Sequence, residues 1–199
     1  MTARKRRDAK IGLDGVVTST TLASNKRLLV LPLLGDSAPD REVIFEPTPM
    51  PIVRAMLALA KVGPTDVVYD LGSGDGRIPI TAAKEYGACG VGVEIDRTLI
   101  AEARANAKQA GLEDKVHFIE GNMFEADGSS ATVVTLFLHP EPNRKLRPKL
   151  LAQLKPGSRI VSYIWDMGDW KSDTAQRLEN RRWIYLWRVP ERKSALAST

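Results

Sequence analysis

The chain has 199 residues, 43% of them hydrophobic and 27% charged, a size and mixture that fit one globular domain with an appendage and exclude a repeat array or a largely disordered chain. One cysteine, Cys89, and two histidines, His117 and His139, exclude a disulfide framework and make a metal centre an unfavourable reading. The net charge of +5 belongs to the ends: residues 1–10 carry five basic and one acidic side chain, residues 171–199 carry seven and three, and the middle holds 17 basic against 20 acidic.

The basic opening (Arg4, Lys5, Arg6, Arg7, Lys10) reads as a solvated arm, and as the stretch that could touch an acidic membrane surface or nucleic acid. The apolar run at residues 28–34 is broken by Pro32 and is far short of the roughly 20 residues that cross a bilayer. No transmembrane segment or secretory signal is expected, and the run should pack on the domain. Residues 1–44 are therefore expected to be an arm and extension, and residues 45–199 one domain.

From residue 45 strand-like and helix-like segments alternate, which predicts an α/β sheet. Pro51 to Val62 places Ile52, Val53, Met56, Leu57 and Ala60 on one helical face, with proline in the first turn. Residues 66–71 read as a buried strand, 76–86 as a helix stopped by Gly87, 90–95 as a strand and 97–110 as a helix stopped by Gly111. Strands are predicted at 115–120, 131–138 and 158–165, with a helix from about Asn143 to Leu154, and residues 174–189 should supply an antiparallel pair. Cys89 reads as a small packed residue and His117 as an ordinary strand residue.

Between the first of these strands and its helix stands Asp70-Leu71-Gly72-Ser73-Gly74-Asp75-Gly76. Glycines there permit positive φ and close approach of a ligand. Two carboxylates in the turn argue against a diphosphate on the helix N-terminus and suit a ligand with a positive end, such as S-adenosylmethionine. Glu94, at the end of the next strand, stands where a carboxylate accepts both hydrogens of a ribose diol. Asn122 and Met123 follow the third strand, where an amide can read the donor and acceptor edge of adenine.

On these motifs residues 45–165 resemble a class I, seven-strand S-adenosylmethionine-dependent methyltransferase: a Rossmann-like, mostly parallel sheet with helices on both faces and a C-terminal antiparallel strand pair. In that family the position of Asn122 usually carries Asp, and the strand through Leu138 ends beside the methyl group. Phe45-Glu46-Pro47-Thr48-Pro49, the glycine turn and residues 143–170 are further similar to the small protein-lysine methyltransferases, which include archaeal broad-specificity enzymes and mitochondrial enzymes acting on a component of ATP synthase or the nucleotide translocase. The resemblance puts Thr48 over the methionine end of the cofactor; Thr48 also reads as a helix N-cap.

At the acceptor position stands Leu138-His139-Pro140-Glu141-Pro142-Asn143, which lacks the Asp/Asn-Pro-Pro-aromatic tetrapeptide of DNA adenine methyltransferases and so counts against nucleobase chemistry. His139 is the candidate base, Glu141 a candidate partner for a cationic lysine, and Trp170 the candidate channel aromatic, with Tyr163 and Trp165 sharing one sheet face and suiting plain packing. The expectation is a cytoplasmic enzyme moving a methyl group from S-adenosylmethionine to an amine, chiefly a protein lysine. A small-molecule methyltransferase, a nucleic-acid methyltransferase and a non-catalytic cofactor-binding scaffold stay open.

Overall fold

The computed structural model describes residues 46–192 together with the backbone of two short strands, β1 (Leu28–Val30) and β2 (Glu42–Ile44), which pair antiparallel in a ribbon of their own. The remainder of the basic arm and of the 28–34 run lies outside the described residues, so its membrane or nucleic-acid contact does too.

The domain alternates helix and strand as the patterning requires. Helix α1 (Met50–Leu59) leads into β3 (Val67–Leu71), α2 (Arg77–Tyr86), β4 (Cys89–Glu94), α3 (Arg97–Gln109) and β5 (Val116–Glu120). Then come β6 (Val133–Leu136), α4 (Pro140–Gln153), β7 (Arg159–Tyr163), β8 (Thr174–Arg177) and β9 (Trp183–Arg188). The seven strands β3 to β9 form one sheet in the order β5-β4-β3-β6-β7-β9-β8. All neighbours are parallel except β7·β9 and β8·β9, so the C-terminal antiparallel pair is present as expected. From β3 the chain winds outward to β5, then returns to place β6 on the other side of β3. That reversal makes β3 and β6 the topological switch point, where an open α/β sheet opens a crevice at the strands' C-terminal ends.

Period-two burial divides the core between the sheet's faces. Val68, Val133, Val161 and Tyr163 pack with Ile52, Val53, Met56 and Leu57 of α1, while Tyr69, Leu71, Val134, Leu136 and Ile160 pack with Leu146 and Leu150 of α4 and with Trp187. A polar cluster closes the far end of the sheet: Asp66 accepts from Gly63 N at 2.9 Å and Thr132 Oγ1 at 2.7 Å and pairs with Arg159, which also donates to Ala60 O.

Three expectations are corrected. Cys89 is exposed, because β4 begins with it before the strand enters the core. Helix α4 starts at Pro140, not near Asn143: Pro140 and Pro142 fall in the first turn, where no backbone N–H is needed, so prolines that look loop-like are helix starters here. Correspondingly β6 ends at Leu136, two residues before Leu138. Among the described residues no helix is long and apolar enough to cross a membrane, and no cluster of His, Cys, Asp and Glu is placed to hold a metal ion.

Candidate functional site

The glycine turn sits at the switch point. Gly72, Gly74 and Gly76 have φ of 83°, 52° and 79°, so three bends of the left-handed region are packed into five residues. Gly72 N and Ser73 N both donate to Val93 O, at 2.9 and 3.0 Å, lacing the turn to β4. A Cβ on Gly72 would stand 3.2 Å from Leu138 Cδ2, which brings the turn after β3 against the segment after β6. On β4, a Cβ at Gly92 would stand 2.5 Å from Ser73 Oγ and 2.6 Å from the Phe118 ring, so the space beneath the turn exists only because Gly92 has no side chain.

Three acids surround this turn. Asp70 is buried and accepts from Thr135 Oγ1 at 2.7 Å across the β3·β6 pair. Burial pushes its carboxyl up to about 7, against the Thr135 hydrogen bond and with help from the charges of Glu94 and Asp75. Glu94 is also buried; its Oε2 accepts from Gly74 N at 2.9 Å and its Oε1 from Ile95 N at 2.8 Å and Asp96 N at 3.0 Å. Asp75 is gripped by Arg77, whose Nε lies 2.9 and 3.1 Å from its two oxygens and whose Nη1 donates to Thr48 O at 3.0 Å. Asp75 thus faces a guanidinium of its own chain, and that guanidinium ties the Pro47-Thr48-Pro49 segment to the turn. Thr48 is buried and does not cap α1: Pro49 holds the N-cap position and no side chain bonds there.

The third-strand segment is drawn in by its own hydrogen bonds. Asn122 Oδ1 accepts from Phe124 N at 3.0 Å and its Nδ2 reaches Glu125 at 3.2 Å, so the amide shapes its loop and has only its remaining valences for a ligand. Met123 is half-buried against the α4 side of the core. Lys149 Nζ donates to Met123 O at 3.1 Å and to Ala126 O, and burial lowers its pKa.

At the end of β6, Leu138 is half-buried, and exposed His139, in extended backbone, takes the N-cap position of α4 without a side-chain cap. Glu141 is exposed in the helix's first turn, where the helix dipole favours an acid. The expected face-sharing of Tyr163 and Trp165 does not occur. Strand β7 stops at Tyr163, which is buried against Phe137 with ring centroids 4.8 Å apart, and Ile164 has a φ of 70° that turns Trp165 off the strand. Trp165 is 37% exposed and its ring centroid lies 6.2 Å from that of His139. Trp170 is half-buried instead: it packs 6.1 Å from the Trp187 ring, accepts from Trp187 Nε1 through its carbonyl at 2.8 Å, and lies beneath the Arg147 guanidinium.

Sequence reasoning passed over Arg77, Thr135 and Asn143. A basic residue two places after Asp75, a threonine in the apolar run of β6, and an asparagine on the Leu146–Leu150 stripe of α4 were the available signals.

The donor set can be tested against the ligand. Asp75 is paired with Arg77, but buried Asp70 and Glu94 offer a diphosphate no cation and suit a ligand with a cationic end and a diol, while the buried Ser73 Oγ has no hydrogen-bond partner of its own. The residues present therefore fit S-adenosylmethionine.

Comparison with known proteins agrees. The family model "ANTKMT methyltransferase domain" matches residues 70–174, just over half the chain. A protein-lysine N-methyltransferase of Saccharolobus islandicus is 44% identical over 155 residues, covering 76% of this chain and 96% of that protein. An adenine nucleotide translocase lysine N-methyltransferase of Mus musculus is 32% identical over 123 residues, 60% of this chain and only 52% of that protein. Among solved structures, an RNA methyltransferase from Salinibacter ruber in complex with S-adenosylhomocysteine matches with a TM-score of 0.73 and 53% identity over 77% of this chain and all of that one. Motif, fold and comparison agree that the chain belongs to the ANTKMT-type methyltransferase family, a group of S-adenosylmethionine-dependent enzymes with the seven-strand fold.

Proposed function

We propose that this enzyme methylates the side-chain amine of lysine in a protein. The carrying observation is the pairing of Trp165 with His139, the residue that follows Leu138, with Glu141 on the same helix turn: an aromatic ring, an imidazole and an acid suit an aliphatic stem with a cationic head. The identity of 44% to a protein-lysine methyltransferase over three quarters of the chain supports the same reading.

The cofactor, when bound, supplies a methyl carbon made electrophilic by the sulfonium. The chain's residues then have separable tasks. We assign Glu94 to the ribose, Asn122 and Met123 to the adenine edge, and Gly72, Ser73, Gly74 and Gly76 to the bends that admit the ligand. Asp70, Asp75 and Thr48 belong to the cationic methionine end, with Asp75 and Thr48 joined by Arg77. A lysine amine has a reference pKa near 10.4 and must be neutral to attack, so desolvation by Leu138 and Trp165 and a proton held on the His139 imidazole are the steps the protein supplies. Glu141 orients the cationic form as it arrives. Trp170, packed on Trp187 and bonded to it through its carbonyl, anchors the segment 165–170 that bears Trp165.

The domain is taken as residues 45–199, since residues 67–188 alone build the seven-strand sheet, with residues 1–44 as an extension. A reducing cytoplasm suits a single exposed cysteine.

A second reading has one specific support, the description of the Salinibacter ruber relative as an RNA methyltransferase. One experiment separates them. The enzyme is incubated with methyl-labelled cofactor and a whole-cell extract, then treated with protease or nuclease. Label that is released by protease and recovered as methyl-lysine is expected; label released only by nuclease would overturn the lysine assignment.

A further inference from the structure

Trp165 is held at the acceptor mouth by a backbone turn that neither strand nor helix accounts for. Its N–H donates to Tyr163 O at 2.9 Å across Ile164, forming a γ-turn whose central φ is 70° at a β-branched residue. Such a conformation persists only where its surroundings over-determine it. One restraint is Ile164 N, which donates to Trp183 O on β9 at 2.8 Å. The other comes from α4.

Asn143 is fully buried, and its Nδ2 lies 3.1 Å from Ser162 Oγ and 3.2 Å from each of Trp165 O and Asp166 O. Its backbone N–H donates to His139 O at 3.2 Å, so the same residue closes the helix turn that begins at His139. One residue therefore joins the segment bearing His139, through its backbone N–H, to the turn bearing Trp165, through its side-chain amide. Its Oδ1, equally buried, has no partner. A buried acceptor left unmade is costly, and an apolar side chain on the stripe of Leu146 and Leu150 would avoid that cost. The side chain is thus kept for what its donors hold.

We propose that Asn143 is a positioning residue that fixes the Trp165 ring beside His139, and that the wall so formed decides how tightly the acceptor side chain is held. The inference rests on the acceptor reading above and adds the device that shapes that site.

The test uses the full chain labelled with 5-fluorotryptophan, whose four tryptophans give four fluorine resonances; the one missing in Trp165→Phe belongs to Trp165. Asn143→Asp keeps the volume and removes the paired donors. It is expected to shift or broaden the Trp165 resonance while that of buried Trp187 stays in place. With a protein labelled in the extract experiment, prepared unmethylated, as substrate, Asn143→Asp and Trp165→Phe should each raise the acceptor KM about tenfold and leave cofactor affinity within about twofold, and Asn143→Asp should change KM more than kcat. The double variant should be no worse than either single change, because both act on one contact. An unmoved Trp165 resonance, or KM effects that multiply, overturns the proposal. Should Asn143→Asp not fold, Asn143→Leu, which suits the apolar stripe of Leu146 and Leu150 and buries no charge, removes the same donors and must shift or broaden the Trp165 resonance, or the proposal fails. The fluorine measurement needs no acceptor, so it decides the role of Asn143 even if no protein lysine is labelled and the acceptor reading falls.

Discussion

Replacing Asp70 by Asn tests whether the cofactor turn is built around a carboxyl that holds its proton until a cation arrives. In the folded protein without ligand, burial and the neighbouring Glu94 and Asp75 raise this group from 3.8 to about 7. The sign follows directly. Below pH 4 both folded and unfolded chains carry the proton; between pH 4 and 7 the unfolded chain has released it and the folded chain has not, so stability from this group is lost as pH rises and is gone above 7. At about 1.4 kcal/mol per pH unit, the interval amounts to about 4 kcal/mol in all, and about 3 kcal/mol between pH 4.5 and 7. Urea unfolding of cofactor-free wild type and Asp70→Asn across pH 4.5 to 7.5, followed by tryptophan fluorescence, reads this as the change in the stability difference between them. Wild type should lose its advantage steadily with rising pH. Cofactor binding near pH 6 should also release a proton, seen as a calorimetric heat that scales with the buffer's ionisation enthalpy in wild type and not in the variant. A stability difference independent of pH would refute the reasoning, because it would mean that the carboxyl is ionised throughout.

Glu94→Ala removes the acceptor of three backbone N–H groups as well as the proposed ribose ligand, so it should weaken cofactor affinity by about tenfold or more and cost about 2 kcal/mol of stability; calorimetry and denaturation measure the two separately. Arg77→Lys should fail to rescue Arg77→Ala in cofactor affinity, since an ammonium cannot span Asp75 and Thr48 O as the planar fork does. Trp170→Ala should cost about 2 to 3 kcal/mol in urea unfolding through its lost packing on Trp187 while cofactor affinity stays within about twofold.

How far the site was legible depends on whether its residues act locally or across strands. The glycine turn could be read because positive φ and close approach are requirements of the local backbone, and the α/β class followed from helices alternating with short apolar strands, whereas the strand order did not. Glu94 could be located because a βαβ unit returns its second strand to the first strand's end. What it does in the absence of ligand, accepting from Gly74 N, could not, since that bond spans twenty residues. Thr135 is the same case: a threonine in an apolar strand means nothing until β6 is laid beside β3 and its hydroxyl meets Asp70.

The aromatic wall shows why the acceptor side is harder to read than the cofactor side. Period-two spacing puts Tyr163 and Trp165 on one face only while the strand lasts, and the strand ends between them. No residue at Ile164 announces the break; glycine or asparagine would have, and isoleucine is among the residues least suited to positive φ. Ile164 N donates to Trp183 O and the Asn143 amide donates to Trp165 O, and both bonds are tertiary information. The cofactor turn can be encoded by a run of seven residues because its ligand is always the same. The acceptor wall we propose is held by α4, β7 and β9, so its shape can change with substitutions in any of the three while the glycine turn stays intact, and a specificity that differs between relatives of one fold requires that separation.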